Sequence, residues 1–143
     1  MALTACQKPV PIEDEKQQTI EVSYDNLEGC WRLTHLNGEP LFDESMMYID
    51  FVAPAKDGEV AHYEMWDNLG SMYLRQTTGT YTITKEKNDT YILRGTYDNG
   101  VGDWNEEYRV DLFQNDRMLW WSLQTGVCLE FTFAIEKPEE FYN

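Results

Sequence analysis

LEGCWRLTHLNGEPL (27–41) is the stretch on which the fold turns. Gly29 and Trp31 stand two apart at the head of an alternating run, and Asn37-Gly38 ends that run with a dipeptide suited to a tight turn. A period of two marks 29–37 as a half-buried strand. With Trp31 facing inward, Leu33 and His35 share its side, while Cys30, Arg32 and Thr34 take the other. Upstream, Asp25 and Glu28 stand three apart in a capping pattern, which predicts a short helical turn before Gly29; an Asx turn satisfies the same residues.

Downstream the pattern repeats. Alternating runs fall at 46–52, 59–66, 71–84 (its strand starting near Gly79), 90–97, 106–113, 117–123 and 128–136. Turn signals separate them, among them Lys56-Asp57-Gly58, Asn88-Asp89, Asp98-Asn99-Gly100, Asn115-Asp116 and Thr125-Gly126. No window of 11 or more residues keeps a helical period. Eight strands joined mostly by hairpin-length loops predict an all-β, antiparallel, up-and-down meander. Eight is also the number at which a sheet closes around side chains or one small ligand. A sandwich of similar strand count is the competing architecture.

A Gly-x-Trp on the first of eight strands, just after a helical turn, resembles the opening of the lipocalin/calycin barrels. The resemblance spans residues 25–136 as a pattern, and implies an eight-stranded barrel whose closed end is plugged by Gly29 and Trp31. More narrowly, L-x-G-x-W at 27–31 is similar to the lipocalin-like domains of small Bacteroidota-type lipoproteins. Many lipocalins carry an Arg after the last strand that packs across the Trp. Here the tail AIEKPEEFYN offers Lys137 instead, without a planar guanidinium. That departure points to a distant calycin.

The beginning of the chain fits the same resemblance. In MALTACQKPVP, Leu3-Thr4-Ala5-Cys6 matches a lipobox, with Cys6 as the acceptor of a diacylglycerol group. Residues 1–24 then read as residual signal, lipobox and a polar tether with too little apolar surface to fold, and 25–143 as the barrel domain. The opening stretch is expected to keep only part of a signal peptide. The expectation is an exported lipoprotein of the outer membrane, facing the periplasm or the cell surface, held only by the lipid on Cys6. No apolar run approaches the ~18 residues of a membrane span.

Alternation also assigns the interior. Inward positions are Met47, Ile49 and Phe51; Ala61, Tyr63 and Met65; Tyr81 and Ile83; Tyr91, Leu93 and Tyr97; Tyr108, Val110 and Leu112; then Leu119, Trp121 and Leu123, favoured over Met118 and Trp120. The last strand offers Leu129, Phe131, Phe133 and Ile135. In a meander closed at Trp31, the open end gathers His35, Met47, Met65, Tyr81, Tyr97, Tyr108, Trp121 and Leu129, with Tyr63 below them. Aromatic faces with a few polar tips suit a small apolar or amphipathic ligand. The same side chains could instead fill the barrel to interior density. Cys30 and Cys128 fall at opposite ends of neighbouring strands, beyond the ~7 Å reach of a disulfide.

Charge narrows the partners. The chain has 26 carboxylates against 11 Lys and Arg, a net −15, which repels nucleic acid and anionic membrane surfaces. It favours a solvated surface or a basic protein partner. No nucleophile–base–orienter set, phosphate loop or metal motif occurs, and the two histidines, His35 and His62, stand apart. The acidic, glycine-bearing stretch 98–107 lacks the ligand ladder of a calcium loop and reads as a hairpin turn. The sequence therefore predicts no enzyme, metal or cofactor, and a monomer. Its two functional readings are a ligand carrier and an acidic protein-binding module, either an inhibitor of a basic enzyme or a subunit of a surface assembly.

Overall fold

The computed structural model describes residues 18–70, 72–98 and 102–134. One helical turn, α1 (Tyr24–Leu27), precedes eight long strands. These are β1 (Gly29–Leu36), β2 (Met47–Val52), β3 (Ala61–Asp67), β4 (Arg75–Glu86), β5 (Thr90–Tyr97), β6 (Tyr108–Phe113), β7 (Arg117–Ser122) and β8 (Cys128–Ala134). Each pairs antiparallel with the next, and β8 returns to β1, from Leu129 opposite Leu36 to Ala134 opposite Cys30. The sheet is a closed barrel, and the sandwich is excluded.

The base is made by the starts of the odd strands and the ends of the even ones; the mouth is the other end. Trp31 corks the base at 3% exposure. Its indole N–H donates to the Leu27 carbonyl at 2.9 Å, so α1 positions the cork. No Arg is needed across it: Phe133 meets the indole edge-on, ring centroids 5.2 Å apart. Gly29, at φ +122°, makes room for that ring, because a Cβ there would lie 2.5 Å from Phe133 Cε1. Lys137 lies outside the described residues.

Above the cork, Ile49, Phe51, Tyr63, Tyr81, Met118, Trp120 and Phe131 fill the interior, each at 2% exposure or less. This core corrects the expected face of β7. Met118 and Trp120 point inward, while Leu119 and Trp121 lie outside, where Leu119 and Cys128 form a separate buried cluster. Both faces of β7 are apolar, so hydrophobicity could not choose between them. The hairpin does: Arg117 sits opposite Phe113 and Met118 opposite Leu112, across a short loop ending in left-handed Asp116 (φ +62°). Leu123 lies just beyond the strand and is half exposed.

β4 also departs from expectation. It begins at Arg75 rather than near Gly79, because Asp67, buried at the end of β3, holds the Arg75 guanidinium at 2.7 Å. The tether region folds in part: Thr19–Ile20 pair with the end of β6, Val22 is buried, and Ser23 rather than Asp25 caps α1 by accepting from the Asn26 amide. Cys30 and Cys128 stand at opposite ends of the β1–β8 pair, which rules out a bond between them. Cys6 and Ile135 lie outside the described residues.

Candidate functional site

The side chain that organises the upper barrel comes from a loop. β5 and β6 pair only through Tyr91–Val110, Ile92–Arg109 and Leu93–Tyr108, then separate toward the mouth. Trp104, on the connection between them, inserts its indole into this gap. Its backbone N–H donates to the Gly95 carbonyl at 2.8 Å, and Gly102–Asp103 pair with Thr96–Tyr97. The ring lies where a side chain at 95 would be: a Cβ there would come within 2.2 Å of Trp104 Cε2. Inside, the indole stacks on Trp120 at 6.2 Å and meets Tyr63 and Tyr108 at 5.2 and 6.1 Å. Its N–H donates to Tyr63 Oη at 2.8 Å, and that hydroxyl donates onward to the Thr96 carbonyl at 2.8 Å.

On the other side of Trp104 is a cleft of about 340 Å³, lined by Thr80–Thr82, Arg94–Thr96, Asp103–Glu107 and Gln124. Arg94 and Glu107 pair across it, and Gln124 accepts from the Glu107 amide. The Arg94 hydrogen bond, with help from Gln124, holds the Glu107 carboxyl below its ordinary pKa. Burial pushes the Tyr63 and Tyr108 phenols up to about 12; Tyr97 adds to both, and the Trp104 hydrogen bond opposes the rise at Tyr63. These phenols are neutral at physiological pH. They serve as hydrogen-bonding groups, not as bases.

Two buried polar atoms at the centre have no hydrogen-bond partner among the described residues: Tyr81 Oη and Trp120 Nε1. Both rings border Phe51, with centroids 4.8 and 6.3 Å from it. At the rim the loops carry exposed apolar side chains: Phe42 after β1, Met72 and Tyr73 before β4, and Leu123 after β7.

The residues expected at the mouth do not all gather there. Met47 and Leu129 are buried at mouth ends of their strands, Met65 and Tyr108 pack half-buried against the core, and Tyr63 lies beneath Trp104. Tyr97 is near enough to Tyr63 and Tyr108 to raise both phenols. Tyr81 is inward but deep, tilted against Tyr24 and edge-on to Phe51, because β4 starts higher than expected.

His35 and Trp121 are corrections, since both lie outside. In β1 the register shifts, with Leu33 opposite Phe131 but His35 opposite Glu130, so the extra residue Thr34 turns His35 outward. There His35 Nδ1 lies 2.9 Å from Thr34 Oγ1. Trp121 lies under the Arg109 guanidinium at 4.3 Å. Trp104 was missed by the sequence reading. Its signals were an indole in a hairpin loop and a glycine interrupting the strand run 90–97.

Among the described residues, no group of three His, Cys, Asp or Glu side chains gathers as for a metal, and no helix is long and apolar enough to cross a membrane. A family model described as a lipocalin-like domain matches residues 27–120. No curated protein and no solved structure matches the chain.

Proposed function

The chain belongs to the lipocalin-like domain family, and from that premise we propose that it is a non-catalytic binding protein that takes a small apolar or amphipathic molecule through the barrel mouth. One observation carries the reading: the upper interior is closed by a loop indole, Trp104, rather than by a strand residue. That side chain is held by one indole hydrogen bond and by ring contacts with Tyr63, Tyr108 and Trp120, none of which belongs to a strand ladder, so it can leave the gap without unzipping the barrel. Apolar rim residues such as Phe42 and Met72 favour capture of an apolar compound from water. Native mass spectrometry of the protein from its own cell tests this. The expected result is a retained small molecule that is lost in Met65→Arg; a bare chain in both forms overturns it.

The protein-binding alternative draws on the densely filled lower barrel and the net charge of −15. It requires that partner binding survive Met65→Arg and weaken steeply with salt.

Anchoring through Cys6 to the outer membrane is part of the same proposal, supported by the Leu3-Thr4-Ala5-Cys6 motif. The detergent-extracted protein should yield an acylated peptide beginning at Cys6. A Cys6 still preceded by Ala5 in that extract overturns that part.

A further inference from the structure

We propose that Tyr81 Oη and Trp120 Nε1 form the recognition point for the guest, and that the guest is a neutral, flat molecule carrying an oxygen acceptor. This rests on the binding reading above and specifies its ligand class.

Buried polar atoms in folded proteins almost always find a partner, because an unpaired one forfeits its hydration without return. Here two such atoms occur in one interior, each in a side chain at 2% exposure or less, and each ring borders Phe51. Trp120 Nε1 can only donate, while a tyrosine hydroxyl can donate or accept. What both can serve is an oxygen with free lone pairs, as in a ketone, ester, amide or ether.

The surroundings set the remaining chemistry. No Lys, Arg or His is buried among the described residues, so an anion would enter the interior without a counter-charge. The Glu28 carboxylate adds negative potential at Tyr81, which opposes an anion further. Flatness follows from Trp104: the gap already accepts an indole stacked on Trp120, with Gly95 leaving the volume for it. Tyr81 stands opposite Gly95 on the neighbouring strand, so a flat guest that replaces the Trp104 ring between Tyr63, Tyr108 and Trp120 lies beside Tyr81 as well.

Three naphthalene probes separate the terms on the intact protein, read by quenching of tryptophan emission: 2-acetylnaphthalene, its acceptor-free analogue 2-isopropylnaphthalene, and anionic 2-naphthoate. The ketone should bind about tenfold tighter than the hydrocarbon, the worth of one good buried hydrogen bond, and naphthoate should bind weakest. Tyr81→Phe should abolish most of the ketone's advantage while leaving hydrocarbon affinity and the melting temperature unchanged or higher, since it deletes only an unpaired hydroxyl. The Trp120 indole proton should shift downfield with the ketone alone. Equal binding of ketone and hydrocarbon, indifferent to Tyr81→Phe, overturns this inference but leaves the binding reading standing. A lower melting temperature in Tyr81→Phe with ketone affinity unchanged shows that the hydroxyl serves a structural water, which also overturns it. If no probe binds, both readings fall together.

Discussion

Position 95 decides whether Trp104 can enter the barrel. A methyl group there would meet the indole at 2.2 Å, and the opposing atoms belong to a ring already wedged against Tyr63 and Trp120. Gly95→Ala should therefore expel Trp104, costing about 1–3 kcal/mol as overpacking does. A red shift of tryptophan emission together with urea unfolding checks this, and an unshifted spectrum contradicts it. At the base, Trp31→Ala removes the cork and should cost about 3–5 kcal/mol in the same urea measurement. The phenols add an alkaline limit. Tyr63 and Tyr108 ionise near 12 when folded against an ordinary 10.0, so burial favours their neutral form. Their contribution to stability is complete below pH 10 and is lost as pH rises through 12. Phenolate absorbance should show these two ionising late, together with unfolding.

At the scale of elements, the connection between β5 and β6 depends on Arg94 and Glu107. The Glu107 pKa is depressed, so the stabilisation is present above the ordinary carboxylate range and is lost as pH falls through the depressed value. Hydrogen exchange at the Trp104 amide, which bonds to Gly95, should stay slow through mild acid and quicken only below that range. Arg94→Met should quicken it already at neutral pH. Most strands were legible because one face is buried and the other is not, as in β2, where buried Met47, Ile49 and Phe51 alternate with the less buried Tyr48, Asp50 and Val52. β7 was not, because Met118 and Trp120 compete with equally apolar Leu119 and Trp121, and only the pairing with β6 separates them. His35 was misplaced because alternation cannot show the extra residue at Thr34. Trp104 was invisible to strand periodicity because it enters the core from a loop.

For the whole barrel, the two seams differ in strength. β8 and β1 align over six residue pairs, whereas β5 and β6 align over three before diverging around Trp104. Local opening should therefore concentrate at the second seam. Amides of Leu33 and Phe131 are expected to exchange only with global unfolding, and those around Thr96 and Tyr108 well before it. A uniform exchange pattern around the barrel contradicts this.

Thr19 and Ile20 cover the main-chain groups of Phe113 and Leu112, where β6 has run past its contact with β5. A recombinant product starting at Asp25, where composition alone places the start of the domain, would leave that border raw. Bare strand borders template pairing between molecules, so such a product should self-associate in light scattering while one starting at Gln18 stays dispersed. The few residues that look like leash are also the hem that keeps neighbouring copies apart.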